Sequence, residues 1–323
     1  MTLPKLVVTH KIPDAGLQPL REKFNVVLLD ENKSIRDQLF EHITDTEYLI
    51  PLLSVKIDAE LLEKATQLKL VADYAVGYDN INVEAAKKQG ILVSNTPDVL
   101  TNATADLTWG LMLAISRRIP EGDQLCRSGA DWHWSPEFHL GREITGATLG
   151  IIGMGRIGLA VAKRAIGFDM TVLYSSRKVK LALEKEYDFQ YVHNVKELLQ
   201  KSDFVSLNVA YTSDTHHLIG EEELELMNPT AYLINTARGK VIDEKALIKA
   251  LQEGKIAGAG LDVFYDEPFI PEALRKLPNV VLTPHIGSAT YKARNDMAKI
   301  VADNILAVHE GKSPPNLIPE LQT

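Results

Sequence analysis

Three glycines open the chemistry of this chain. In "TLGIIGMGRIGLAVAKRAIGFDMTVLYS", Gly153, Gly155 and Gly158 follow an apolar run and begin a helical pattern with Ile157, Val161 and Ala165 on one face. A lone G-x-G-x-x-G is weak, but one framed by strand, helix and second strand is a dinucleotide signature. The tight turn needs Gly153, close approach of backbone to a pyrophosphate needs Gly155, and packing of helix on strand needs Gly158. The phosphates would rest on the helix N-terminus, where unpaired N–H groups and the dipole favour anions. The alternative is a glycine-rich turn that holds no ligand.

In an open parallel sheet the ligand lies outside the carboxyl ends of the strands. Three later apolar runs end there in reactive residues: "NTARG" carries Arg238, "LDVFYDEP" carries Asp262 and Glu267, and "TPHIGSA" carries His285. Singly, Arg238 reads as a loop cation, Glu267 as a turn acid before Pro268, and His285 as a strand cap. Together on one rim facing a dinucleotide they suit hydride transfer to a 2-oxo acid. A guanidinium grips a carboxylate in two places, and an imidazolium protonates the developing alkoxide. A carboxylate beside the histidine favours its charged form and holds its tautomer.

The cofactor question turns on "TVLYSSRKVK". An acid about 20 residues beyond the glycine motif binds the adenine ribose 2′-OH of NAD and repels a 2′-phosphate. Ser175 stands 22 residues after Gly153, and Ser176, Arg177 and Lys178 follow it. Hydroxyls and a guanidinium would hold that phosphate through charge-assisted contacts worth about 1.5 to 3 kcal/mol. The expected cofactor is therefore NADPH; the alternative is a solvated basic turn on a protein that uses NADH.

The elements that must position these residues are legible as alternating strands and helices. Apolar runs recur at 6–10, 26–30, 48–53, 70–77 and 91–95, separated by helical stretches such as "AELLEKATQ" and "VEAAKKQG". Such alternation implies a parallel sheet covered on both faces. A helix is expected from about Thr101 to Arg118, with Leu107, Leu111 and Ile115 on one stripe and Pro120 just beyond its end. Residues 121–143 read as a long irregular stretch bearing Trp132, Trp134 and Phe138, either a surface excursion or an arm that packs on a second subunit. Six further strands follow, near 148–153, 171–175, 204–209, 231–237, 257–263 and 280–286, and the chain closes with a helix from about Tyr291 and a Pro-rich tail.

The expected fold is α/β, two doubly wound parallel-sheet domains. Residues 1–100 and 291–323 would form a substrate domain, and 101–290 an inserted dinucleotide-binding domain, with the active site in a cleft whose closure excludes water.

Composition sets the outer limits. A chain of 323 residues is long enough for two cores, and 24% charged with 45% hydrophobic residues is ordinary for a globular protein. The net charge of −8 offers no footprint for nucleic acid or an anionic membrane. A single cysteine, Cys126, excludes a disulfide framework. No stretch approaches 18 apolar residues and the N-terminus shows no charged lead with a long apolar core, so a cytoplasmic protein is expected. The adjacent His216 and His217 read as structural, because neighbouring side chains point apart and no acidic partner is evident; no metal is expected.

Beyond these readings, "GIIGMGRIG", "NTARGKVIDEKAL", "GLDVFYDEP" and "TPHIGSAT", with "AVGYDNINVEAAKKQGILVSNTPDVLTNATADL" upstream, resemble the D-isomer-specific 2-hydroxyacid dehydrogenases. The nearest branch is the glyoxylate and hydroxypyruvate reductases, and the resemblance runs in order over almost the whole chain. It implies a Rossmann cofactor domain inserted into a flavodoxin-like substrate domain, and a catalytic triad of Arg238, Glu267 and His285. It implies that Val76 and Gly77 offer amides to the substrate carboxylate, and that the Leu52–Val55 turn, with Leu53 and Ser54, caps the substrate. It further implies that Thr104, Arg156, Ile157, Asn208, Val209, Thr215, Thr236, Ala237, Asp262, His285 and Gly287 line the cofactor. Residues 208–212 read "NVAYT" where many members have a proline-leucine pair. The expected reaction is reduction of glyoxylate or hydroxypyruvate by a homodimer. Competing readings are a D-lactate type dehydrogenase, a 3-phosphoglycerate dehydrogenase, disfavoured because no regulatory domain follows residue 323, and a nucleotide-sensing corepressor on the same fold.

Overall fold

Five short apolar runs pair side by side in the computed structural model, which describes residues 3–322. They are β1 (Lys5–Val8), β2 (Asn25–Leu28), β3 (Tyr48–Ile50), β4 (Leu70–Ala72) and β5 (Leu92–Ser94), all parallel in the order β2-β1-β3-β4-β5. This is the flavodoxin-like order. Leu6, Val7 and Val8 of β1 are wholly buried, whereas the edge strand β2 is partly exposed. Short helices between the strands start at side-chain caps: Ser34 accepts from Asp37 N–H, Asp58 from Leu61 N–H and Asn82 from Ala85 N–H. The last long helix, Tyr291–His309, belongs to the same unit, which comprises the chain up to Leu100 and from Ser288 onward. Gly16 lets the helix Asp14–Arg21 lie against it, since a Cβ there would sit 2.6 Å from the Ala298 carbonyl carbon.

The second unit, Thr101–Gly287, is built on seven parallel strands. They are β6 (Thr148–Ile152), β7 (Thr171–Ser175), β8 (Gln190–Tyr191), β9 (Phe204–Leu207), β10 (Tyr232–Asn235), β11 (Gly258–Leu261) and β12 (Val280–Leu282), ordered β12-β11-β10-β9-β6-β7-β8. Six were expected; the seventh is β8, only two residues long, which pairs with β7 through Leu173 and Tyr174. The order reverses between β6 and β9, the switch point at which such sheets bind ligands.

Both faces of this sheet are covered. Val205, Leu207, Leu233 and Leu261 pack under Leu247 and Leu251 on one side. On the other, Leu149, Ile151 and Ile234 meet Trp109, Leu111 and Ile115 of the helix Thr101–Ser116. Glycines make room in β11: a Cβ on Gly260 would lie 3.0 Å from Leu111 Cβ, and one on Gly258 3.2 Å from the Ile115 side chain.

The stretch 121–143 departs from its expected irregularity. A second helix, Ile119–Ser128, occupies its beginning, because Pro120 starts that helix as well as ending the previous one. Arg118 at φ 54° separates the two helices, and Gly129 at φ 69° ends the second. The segment beyond it carries exposed aromatics, with Trp132 at 51% and Trp134 at 78% exposure.

Candidate active site

The glycine motif occupies the turn between β6 and the helix Arg156–Ala165. Gly153 has φ +99°, and a Cβ on it would stand 2.7 Å from the carbonyl of Asn208, so only glycine lets the end of β9 approach. Its N–H donates to Ser175 O at 2.9 Å, tying the turn to the end of β7. A Cβ on Gly158 would collide with the Gly153 carbonyl oxygen, which is the close packing of helix on strand. At Gly155 a Cβ would meet no atom of the protein, and no side chain caps the helix that starts there. The Asn208 Oδ1, buried beside this turn, lacks a protein partner. Open space over uncapped N–H groups at a switch point fits a dinucleotide. Arg156 is exposed, while Ile157 and Val209 are half-buried.

Loops after β10, β11 and β12 bring Arg238, Glu267 and His285 to the same edge. The wholly buried Asn235 shapes the first: its Nδ2 donates to Arg238 O at 2.9 Å and its Oδ1 accepts from Ala237 N–H at 3.0 Å. Gly239 then presses on the second loop, where a Cβ would lie 2.5 Å from Tyr265 N. Within that loop Phe264 N–H donates to Glu267 Oε1 at 3.0 Å, which leaves Oε2 for His285 Nδ1 at 2.6 Å. The two side chains keep 28% and 24% exposure, so the pair is reachable from solvent. Burial alone would raise the Glu267 carboxyl. The hydrogen bond from His285 and its charge, the Phe264 amide and Arg238 outweigh it and hold the group below its usual 4.5.

His285 itself sits at φ +52°, a strained conformation for a non-glycine residue. Asp262 imposes it. That buried carboxylate accepts from Thr283 Oγ1 at 2.6 Å, Ile286 N–H at 2.8 Å and Gly287 N–H at 2.8 Å, while Asp262 O takes the His285 N–H at 2.9 Å. Burial raises the Asp262 carboxyl, opposed by those donors. Thr104 lies against Gly287, and Thr108 Oγ1 bridges Thr104 O and Thr236 Oγ1, each at 2.9 Å. Thr104, Thr236, Ala237, Asp262 and Gly287 therefore surround one corner of the rim. The Thr215 hydroxyl is engaged locally: it accepts from Thr212 N–H and donates to Ala210 O, closing a turn after β9.

The turn after β7 is looser. Ser175 is buried at 7% exposure, Ser176 donates to Lys178 O at 2.6 Å, and Arg177 and Lys178 are exposed. In the first unit, the loops after β3 and β4 carry the other expected contacts. Leu53 is half-buried and Ser54 exposed in a turn held by Leu52 N–H on Thr9 Oγ1 at 3.2 Å. Val76 O accepts from Asn95 Nδ2 at 2.7 Å, and Asn80 Nδ2 donates to both Leu52 O and Val55 O. Asn80, Asn95 and Asn235 carry no signal in the sequence beyond an asparagine at, or shortly after, the end of an apolar stretch.

His216 and His217 correct an expectation. Their rings stack with centroids 3.9 Å apart, because His217 at φ +50° turns the chain back, and Asp243 Oδ2 stands 3.9 Å from His217 Nδ1. Among the described residues no group of three or more His, Cys, Asp or Glu side chains forms a metal site. Nor, among them, is any helix long and apolar enough to cross a membrane.

Comparison with known proteins agrees with this geometry. A family model described as D-isomer specific 2-hydroxyacid dehydrogenase, NAD binding domain, matches residues 109–287. The chain is 53% identical to a glyoxylate reductase of Thermococcus onnurineus over 98% of its own length and 96% of the relative's. A crystal structure of the TT0316 protein from Thermus thermophilus superposes with a TM-score of 0.91 at 43% identity, covering 97% of this chain and 99% of that one. An NADPH-dependent glyoxylate/hydroxypyruvate reductase from Sinorhizobium meliloti, in complex with NADP and malonate, superposes with a TM-score of 0.87 at 34% identity, covering 99% and 98%.

Proposed function

Because the chain belongs to the D-isomer-specific 2-hydroxyacid dehydrogenases, an oxidoreductase family reducing 2-oxo acids with a nicotinamide cofactor, we propose that it is an NADPH-preferring reductase of glyoxylate and hydroxypyruvate. The observation that carries this reading is the 2.6 Å pair of His285 and Glu267 on the sheet edge that also holds the glycine turn.

In this reading Gly153, Gly155, Arg156, Ile157 and Gly158 receive the pyrophosphate, Asn208, Val209, Thr104, Thr236, Ala237, Asp262 and Gly287 line the rest of the cofactor, and Ser175, Ser176, Arg177 and Lys178 take the 2′-phosphate. When bound, the reduced nicotinamide supplies a hydride to the carbonyl carbon of the substrate. Arg238 grips the substrate carboxylate and orients it. His285 is bonded to Glu267 through Nδ1, so its Nε2 gives the proton to the carbonyl oxygen as that oxygen gains charge. Glu267 holds the ring through its bond to Nδ1. In the first unit, the Val76 and Gly77 amides and the Leu53–Ser54 turn are assigned to the substrate.

The reading includes a cytoplasmic location and a homodimer, and the exposed Trp132, Trp134 and Phe138 support the second of these. A monomeric mass at full activity contradicts the dimer. The function itself is tested with glyoxylate, hydroxypyruvate, pyruvate and 3-phosphohydroxypyruvate, each with NADPH and NADH. The highest kcat/KM is expected for one of the first two with NADPH. Preference for either of the others redirects the reading to the lactate or phosphoglycerate type, and turnover of none supports a sensor.

A further inference from the structure

Two consecutive amides in the loop after β11 are each taken by a carboxylate. Phe264 N–H goes to Glu267 Oε1, and Tyr265 N–H goes to Glu244 Oε1, both at 3.0 Å. Glu244 is the first residue of the helix Glu244–Gln252, yet it does not serve as its cap. Asp243 already fills that place, accepting from Lys245 and Ala246 N–H. The Glu244 carboxylate is directed away from its own helix, to the loop that bears Glu267.

That loop is fixed from a second direction by Gly239, whose close approach leaves no room for a Cβ beside Phe264 O and Tyr265 N. The peptide between Phe264 and Tyr265 is thus held by Glu244 and by Gly239, and Glu267 begins two residues later. Half-burial and the neighbouring Asp266 carboxylate push the Glu244 carboxyl upward, against the Tyr265 amide. An acid burdened in this way is a poor choice for stability alone, since a helix N-terminus accepts an exposed one more readily.

We propose that Glu244 is a positioning residue for the Glu267–His285 pair: by holding the Tyr265 amide it sets the loop that presents Glu267 to the imidazole. Glu244 contacts neither reacting atoms nor ligand in this scheme. The proposal rests on the reading of that pair as the proton donor.

A double-mutant cycle tests it, with kcat and KM measured for glyoxylate and NADPH across pH in the wild type, Glu244→Ala, Glu244→Gln, Glu267→Gln and the Glu244→Ala/Glu267→Gln double variant. Glu244→Ala is expected to lower kcat by about tenfold, leave the KM for NADPH within about twofold, and take on the pH profile of Glu267→Gln. Glu244→Gln, whose amide oxygen still accepts from Tyr265, is expected to keep kcat within about twofold of the wild type. In the Glu267→Gln background Glu244→Ala is expected to have no further effect. An equal loss in both backgrounds, or a Glu244→Gln as impaired as Glu244→Ala, overturns the proposal while leaving the pair in place. A wild-type rate and pH profile in Glu267→Gln alone overturns the reading of the pair, and the proposal with it, in a protein whose Glu244 is intact. If Glu244→Ala does not fold, Glu244→Met keeps the length, lacks the acceptor, and carries the same expectations.

Discussion

The rim after β10, β11 and β12 and the turn after β7 belong to the same sheet and are built in opposite ways. At the rim, Asn235, Asp262 and Glu267 each bind backbone amides, and His285 is held at a strained φ of +52°. At the turn, the Ser176 hydroxyl donates to its neighbour Lys178 O, Ser176 O accepts a longer bond from the Tyr191 hydroxyl at 3.4 Å, and Arg177 and Lys178 are exposed. Groups that must stand at the reacting atoms are fixed by backbone geometry, because small misplacements are costly in rate. Groups that choose between cofactors act as charges near a phosphate and tolerate looser placement. Substitutions at the rim should therefore act on the chemical step, and those at the turn on the ratio of cofactors.

Arg238→Ala should give the largest departure. Losing a charged, two-point grip on a carboxylate is expected to lower kcat/KM for glyoxylate by about 10³-fold, with cofactor affinity measured by fluorescence titration unchanged. An equal weakening of NADPH binding would move Arg238 from substrate to cofactor and blur the contrast.

Glu267→Gln should come next, lowering kcat by about 10²-fold through loss of the ring's orientation and charge partner. Its pH dependence has a definite sign. The folded carboxyl lies below its usual 4.5, so its contribution to stability is present above the unfolded value and is lost as pH falls through the lower folded one. Thermal melts from neutrality down through the carboxylate range should show the gap between wild type and Glu267→Gln narrowing with acidity. A gap that widens removes the ion pair from the account.

The smallest effect belongs to the turn. Arg177→Ala should reduce the preference for NADPH over NADH by about tenfold and leave kcat with saturating cofactor nearly unchanged. Equal losses with both cofactors, or a wild type that prefers NADH, would show that the basic turn does not read the phosphate.

What could be read from sequence follows the same contrast. The five strands of the first unit fall on the apolar runs read from sequence, and Arg238, Glu267 and His285 lie in loops that follow such runs, so their arrival at one sheet edge could be anticipated from position. β8 was missed because two residues, one of them Gln190, carry no periodic signal. The helix Ile119–Ser128 was missed because none of its residues is buried in this chain, leaving no core-facing pattern to detect. The stacking of His216 on His217 depends on a single left-handed residue, and the hold of Glu244 on Tyr265 joins positions 21 residues apart. Neither a single left-handed loop residue nor a contact between distant positions is encoded by composition and spacing.

The claim on which the rest depends is that His285 delivers the proton while the glycine turn holds the cofactor independently of it. Single-turnover reduction of glyoxylate by NADPH, in the wild type and in His285→Ala, tests this most directly when paired with a titration of NADPH binding. The expected rate in His285→Ala is lower by about 10³-fold, with the NADPH dissociation constant within about twofold of the wild type. A His285→Ala protein that reduces glyoxylate within about tenfold of the wild-type rate would contradict it, because the proton must then come from another group.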